Sequence, residues 1–297
     1  MERYHDEIPA DVKSHLQHSI LDGYTLELTA KDVSQLDSIA SSVPAQTVIS
    51  VPFLPTEQNA DRVEAAKAVR DAGFEPMPHI AARRMGSRGD LEDFLSRWAD
   101  RADITRLLLL AGDLDPPKGP FVDTATILRS GVLQDYGIKH VAVAGHPEKH
   151  PVQSREVISK ALLDKRDILE NMKLEWSIFT QFAFSAEPVV SWIRQVRSNG
   201  IDVPIHIGIP GPASVKTLLR FAAVCGVSAS TAVMKKYGLS VTQLLTSATP
   251  DRLVDHYANS LVDEALGQVK LHFYPFGGVH RTVDWIRCYQ DHCSAPF

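Results

Sequence analysis

Eight short apolar runs, each followed by a helical pattern, constrain this chain more than any other feature of its sequence. They occupy residues 24–28, 47–51, 75–80, 106–110, 139–144, 176–181, 204–208 and 269–274. Most are continuously apolar rather than alternating, as expected of strands buried on both faces of a parallel sheet. The third is the weakest candidate, because Pro76 and Pro78 remove backbone donors. The segments between the runs carry helix punctuation. Thr56 is expected to cap a helix bearing Val63, Ala66 and Val69, with Gly73 as its stop. Asp90 is expected to cap one bearing Leu91, Phe94, Leu95 and Trp98. Ser185 precedes Val189, Ile193 and Val196, with Gly200 as the stop, and Ser214 precedes Val215, Leu218 and Ala222, with Gly226 as the stop. Thr249-Pro250 opens a last helix expected to run on to Gly267. Polar caps at the start and glycine past the end satisfy the free backbone groups of helix termini.

Strand and helix alternating eight times predict an α/β fold, a (β/α)8 TIM barrel forming a single domain over residues 1–297. A doubly wound open sheet is the alternative. The barrel is favoured because no G-x-G-x-x-G follows the first run, and because polar residues close many different runs rather than one crevice. Two departures from the repeat are expected: a leading helix over 1–20 and a helical excursion over 228–247.

Charge and cysteine usage exclude several classes of protein. Acidic residues number 36 and basic ones 31, interspersed to a net charge of -5, so no basic face suggests nucleic acid. The first seven residues lack the basic start and apolar run of a signal peptide, and no apolar stretch is long enough to span a bilayer. The three cysteines, Cys225, Cys288 and Cys293, form no disulfide framework. A cytoplasmic protein with no membrane or nucleic-acid partner is expected, and a homo-oligomer is compatible with this reading.

In such a barrel the chemistry gathers where the strands end. Glu27 stands between Leu26 and Leu28 in the first run. A carboxyl there is costly unless paired or used, so it is either an arginine-paired structural group or a general acid whose pKa burial raises. His79 closes the third run, Asp113 follows the fourth, Gln181 closes the sixth, and His272 and Tyr274 lie in the eighth. Taken singly, His79 and Tyr274 have the character of core residues, Asp113 that of a turn cap and Gln181 that of a loop amide. His146 and His150 have the i, i+4 spacing of a zinc pair, but Pro147 and Pro151 disfavour a helix, and a loop facing a polar ligand is preferred; no metal is expected. In the next helix Val157, Ile158, Ala161, Leu162, Ile168 and Leu169 form an apolar stripe that Lys165 interrupts, with Arg166 beside it. The pair either snorkels or reaches a cofactor phosphate. Phe221, off its own helix's apolar stripe, is either an ordinary half-exposed aromatic or a platform for a flat heterocycle.

Leu109-Leu110-Ala111-Gly112-Asp113, then Gly145-His146-Pro147-Glu148-Lys149-His150-Pro151, then Thr180-Gln181-Phe182-Ala183-Phe184 resemble the methylenetetrahydrofolate reductase family. Leu26-Glu27, Pro78-His79, Gly200-Ile201 followed by Gly208-Ile209, and His272-Phe273-Tyr274 fall in the matching order, and the likeness covers about residues 20–290. The resemblance implies a barrel that binds FAD at its mouth and passes a hydride between NADH or NADPH, flavin and the folate one-carbon unit. It implies that Glu27 is the acid that opens methylenetetrahydrofolate, and that Asp113 lies near the flavin and holds the pterin. Gln181 is implied to bind the pterin and Phe221 to stack on folate or nicotinamide, with Tyr274 beside the folate. His79, Leu110, Ala111, Gly112, Asp113, Phe121, His146, His150, Lys165 and Arg166 fall at or near the implied FAD contacts. The reading depends on Glu27, Asp113 and Gln181 sharing one water-poor cavity.

Four positions depart from the family pattern. Pro52 stands where a hydroxyl residue is usual, Ala111 where an arginine precedes Gly-Asp, His146 where an aromatic is common, and Asp167 where a basic residue often follows Arg166. By the resemblance each weakens an FAD phosphate or ring contact, so reduced FAD affinity, a differently held cofactor or a flavin-free direct hydride transfer are the alternatives within this chemistry. Outside it stand a metal-dependent barrel hydrolase built on Glu27, His79, His146 and His150, and a non-catalytic folate- or flavin-binding protein. The long regulatory extension of larger relatives is not expected. Both reaction directions, supply of methyl groups for methionine and recovery of one-carbon units, are compatible with these residues.

Overall fold

The computed structural model describes residues 20–54, 57–148, 150, 153–227 and 247–294, the last three of these without their side chains. The expected leading helix, the excursion over 228–247 and the Thr56 cap fall on residues outside this set, Ile20 and Ser247 excepted.

Eight parallel strands close into a barrel in the order β1-β10-β7-β6-β5-β4-β3-β2. They are β1 (Thr25–Glu27), β2 (Val48–Val51), β3 (Glu75–Ala81), β4 (Arg106–Leu110), β5 (His140–Gly145), β6 (Glu175–Phe182), β7 (Ile205–Pro210) and β10 (Val269–Tyr274). A two-stranded antiparallel ladder, β8 (Ala213–Ser214) with β9 (Ser247–Ala248), lies outside the barrel. Closure rules out the open doubly wound sheet. Each apolar run became a strand, with ends shifted by one or two residues at six of the eight.

Alternation along each strand divides the core. Leu107, Leu109, Val141, Val143 and Ile178 join the large outer core beneath the helices. Their neighbours Met77, Leu108, Ala142 and Phe179 face the other way and form a separate apolar cluster inside the barrel. The rest of the interior is polar: Thr25, Ser50, His79, Ser177, His206 and His272 are all buried.

β3 is stronger than its prolines suggest, running seven residues. Pro76 and Pro78 pair with Ile49 and Val51 of β2, whereas pairing with β4 begins only at His79, opposite Leu108. The missing donors therefore fall in the half of the strand that β4 does not cover.

Several helix ends differ from expectation. The helix Asn59–Asp71 is capped by Gln58, with Asp61 completing a capping box. In the helix Arg88–Ala102 the cap is Ser87, whose Oγ accepts from the Asp90 backbone N–H; Asp90 sits in the first turn instead. The helix Asp251–Ser260 stops well before Gly267, which ends a separate 3-10 turn, Glu264–Leu266. In the helix Arg155–Asn171 the expected stripe is narrower, since Val157 is 53% exposed and Ala161 is also exposed. Ser185, Ser214, Gly200 and Gly226 occupy the expected helix boundaries.

Arg62 ties this scaffold to the barrel mouth. It is fully buried, lies over the rings of Phe53 and Phe94, and donates to the His79 carbonyl at 3.2 Å. A buried guanidinium so held fixes the end of β3. Among the described residues no helix is long and apolar enough to cross a membrane.

Candidate active site

Glu27 ends β1 with its side chain 16% exposed. Its Oε2 lies 4.0 Å from His79 Nε2 on β3. Burial raises the Glu27 carboxyl from 4.5 to about 8. Burial, reinforced by His272 and Arg62, lowers the His79 imidazole to about 3. Both groups are therefore neutral near pH 7, and their contact is not an ion pair. Among the described residues no arginine pairs with Glu27, so the structural alternative for this carboxyl is not realised.

The wall on the other flank of β1 comes from its direct neighbour β10 and, two strands further round, from β6. Tyr274 donates its hydroxyl to the Thr180 carbonyl at 3.0 Å. Burial, then the nearby Glu27 and Cys225, hold this phenol well above its ordinary value. Burial and Glu27 also raise the Cys225 thiol, which places that sulfur on the Glu27 side of the mouth. Cys225 in turn shares a cavity of about 130 Å³ with Gln181, His146 and His150. Tyr274 thus links the Glu27 side of the mouth to the end of β6, next to Gln181.

A β-bulge aims Gln181. The β6–β7 register slips between Phe179 and Phe182, which breaks the period-2 alternation there. Gly208 allows this, because a Cβ on it would lie 2.6 Å from the Phe182 backbone nitrogen. Its N–H donates to Thr180 Oγ1 at 2.9 Å, and Gln181 Oε1 accepts from the Phe182 N–H at 3.1 Å.

Asp113 does not share that enclosure. Its side chain is 73% exposed, and Arg84 holds it through two hydrogen bonds of 2.9 and 3.0 Å. The expectation of one water-poor cavity for Glu27, Asp113 and Gln181 is corrected accordingly: Asp113 is exposed to solvent and held by Arg84 in the turn after β4. Leu110 beside it is half-buried, whereas Ala111 and Gly112 are exposed. Gly112 has φ +87, and a Cβ there would lie 3.3 Å from that of Ala81, so the turn keeps a bare backbone face.

On the β5 side, the His146 and His150 rings meet edge to face at 5.1 Å. Burial lowers the His146 imidazole to about 4, helped by His150 and Lys165. Burial also lowers the Lys165 ammonium to about 8, with Asp123 opposing that shift. Arg166 turns elsewhere, to Asp167 at 2.7 Å and to the Asn199 carbonyl at 3.0 Å. Of the two basic residues expected to act as a pair, only Lys165 remains by the histidines. Phe121 is buried at 4% exposure. Phe221 is half-buried and stacks on Phe276 at 4.1 Å, with the Arg220 guanidinium over its ring at 5.0 Å. The hydrolase grouping is not assembled: His79 stands with Glu27, His146 with His150. Among the described residues no three metal-ligating side chains converge.

Sequence reasoning missed Arg84 and Phe276. An Arg83-Arg84 pair directly after the third strand was a usable signal, since β3 and β4 are neighbours. Phe276, two residues beyond Tyr274, was another.

Comparison with known proteins identifies the lineage. The chain is 27% identical over 198 residues to the 5,10-methylenetetrahydrofolate reductase of Salmonella typhimurium, taking in 65% of this chain and 63% of that one. It is 27% identical over 201 residues to the Escherichia coli enzyme of the same name, with the same coverage. The matched region thus spans less than two thirds of these relatives. In fold the chain is similar to a Clostridium thermocellum protein described as binding two copies of 5-methyl-5,6,7,8-tetrahydrofolic acid. The TM-score is 0.57 and the identity 12%, over 95% of this chain and 99% of that one. Residues 38–275, most of the chain, match the family described as Methylenetetrahydrofolate reductase, and this protein belongs to it.

Proposed function

We propose that this protein interconverts 5,10-methylenetetrahydrofolate and 5-methyltetrahydrofolate by hydride transfer, with NADH or NADPH as electron donor or acceptor and FAD as carrier. Family membership supports the reaction class. The observation that carries the reading is Glu27, an unpaired carboxyl held to about 8 by burial at the barrel mouth. Opening the methylene bridge requires a proton at a folate nitrogen, and a carboxylic acid still protonated near pH 7 can deliver it. Gln181 and Tyr274 orient the pterin beside that acid, and Phe221 with Phe276 offers an aromatic wall for the flat part of folate or nicotinamide.

The fit for FAD is uneven. Lys165, a half-buried lysine whose ammonium pKa is lowered by desolvation, suits a phosphate oxygen. The bare backbone of Gly112 suits close approach by a ring, and His146 and His150 stand near Lys165. FAD, when bound, supplies two-electron transfer between nicotinamide and folate. Arg166, committed to Asp167 and Asn199, is not free to help Lys165. That commitment is the specific observation in favour of the second reading, direct transfer from nicotinamide to folate without flavin.

The deciding experiment is anaerobic spectroscopy of the purified protein supplied with FAD. The flavin reading expects stoichiometric yellow colour, bleaching by NADH or NADPH, and recovery of absorbance on adding methylenetetrahydrofolate. Turnover by a protein that binds no FAD establishes the direct route, and no methyltetrahydrofolate under either condition refutes the reaction. Replacing Lys165 by Met is expected to weaken FAD binding about tenfold, measured by fluorescence titration. Unchanged affinity places the phosphates elsewhere.

A further inference from the structure

The end of the barrel opposite the mouth contains a cavity of about 690 Å³, within the range of small-molecule sites. Its walls are the first residues of several strands. Arg106, His140 and Glu175 are paired across β4, β5 and β6, and Lys270 is paired with His206 across β10 and β7. Three residues around this space, His140, His206 and Ser177, each carry a buried polar atom (Nδ1, Nδ1 and Oγ) without a hydrogen-bond partner. His206 is only 9% exposed, and its ring stacks on Phe179 at 4.2 Å and 9°. Three residues with unmet hydrogen-bonding capacity around one cavity, beside two cations, suit a polar occupant.

The charge around the cavity gives the sign of that occupant. Arg106 and Lys270 form no ion pair with a described residue. The Lys270 ammonium lies over the turn at Gly23, where a Cβ would meet its Nζ at 3.0 Å. The His206 imidazole is held well below its ordinary value, first by burial and then by His272, Lys270, His140 and Arg106. The carboxylates on the same wall, Asp22 and Glu175, are exposed at the rim. The cavity is therefore lined by two half-buried cations and neutral hydrogen-bonding groups.

We propose that the N-terminal end of the barrel is a second binding site, for a small anion bearing a carboxylate or phosphate group that faces Arg106 and Lys270 and hydrogen-bonds to Ser177, His140 and His206. Phe179 and its stacked imidazole form the flat wall. The site is independent of the chemistry at the mouth.

The test is calorimetric titration of the whole protein with inorganic phosphate and, separately, with citrate. Saturable one-to-one binding of either supports the site; phosphate alone marks a phosphorylated ligand, citrate alone a carboxylate, and both a general oxoanion site. Arg106→Gln and Lys270→Gln are each expected to weaken binding about tenfold, and the double variant to abolish it. Imidazole resonances of His140 and His206 in the unaltered protein are expected to shift on saturation, a readout that needs no variant to fold. Absence of saturable binding by both probes overturns the proposal. Equal affinity in the double variant, or binding that leaves both imidazoles unmoved, does the same.

Discussion

Replacing Glu27 by glutamine is expected to lower turnover by about 10²- to 10⁴-fold, the usual contribution of a positioned general acid. The KM for folate is expected to change little, because the amide keeps the shape of the carboxyl and loses only the transferable proton. Nothing at the site is arranged to ionise Glu27. Its nearest basic neighbour, His79, is itself held neutral at about 3, and no guanidinium reaches it among the described residues. Reductive turnover should therefore fall as pH rises through about 8, where the carboxyl gives up its proton. Oxidative turnover, which needs the carboxylate as base, should rise through the same range.

Protein stability should show the same proton. The pKa of Glu27 is raised in the folded state, from 4.5 to about 8. The folded protein keeps a proton that the unfolded chain has released, so this contribution is full below 4.5 and lost as pH climbs towards 8. Glu27→Gln should consequently unfold at a higher temperature than the parent at pH 9, with little difference at pH 4. Higher stability combined with lost turnover separates a catalytic acid from a structural carboxyl. Undiminished turnover would remove Glu27 from the mechanism, and a variant less stable at pH 9 would remove the buried neutral carboxyl itself.

The barrel was legible because burial on both faces leaves continuous apolar runs, and β4, with Leu107 to Leu110, is the clearest of them. β3 was underrated because a sequence does not show which half of a strand lacks a neighbour. Caps were misplaced by a few residues where several polar side chains compete, as Ser87 and Asp90 do. At the site, Glu27 stood out since a lone carboxyl in an apolar strand needs a reason. Asp113 and Arg166 were harder to read. The guanidinium that takes up Asp113 comes from the neighbouring loop, 29 residues earlier in the chain. Arg166 pairs with the adjacent Asp167, a departure visible in the sequence whose consequence depends on the direction of the side chain. The polar barrel floor was not legible at all, because Arg106, His140 and Lys270 converge only when the sheet closes.

Gly208→Ala is expected to destabilise the protein by about 3 kcal/mol, at the upper end of ordinary overpacking. The added methyl would lie 2.6 Å from the Phe182 nitrogen and 2.7 Å from the Gln181 carbonyl carbon. Both are backbone atoms of the adjacent strand, so no rotamer change relieves the contact. β6 must move away, which stretches the Gly208 N–H bond to Thr180 and displaces the bulge that aims Gln181. Gly145→Ala is the control. Its methyl would also meet atoms at 2.6 Å, but these belong to the side chains of Ile178 and Trp192. Trp192 is half-buried beside a cavity of about 120 Å³ and can shift, so the cost there should be smaller. Thermal unfolding should rank the parent above Gly145→Ala and that above Gly208→Ala. Folate affinity should fall more in Gly208→Ala than in Gly145→Ala, because only the first sets a methyl against the backbone of the strand that carries Gln181. Equal stability for the two variants would mean that β6 yields as readily as a side chain. The close approach at Gly208 would then have no part in holding the glutamine over the site.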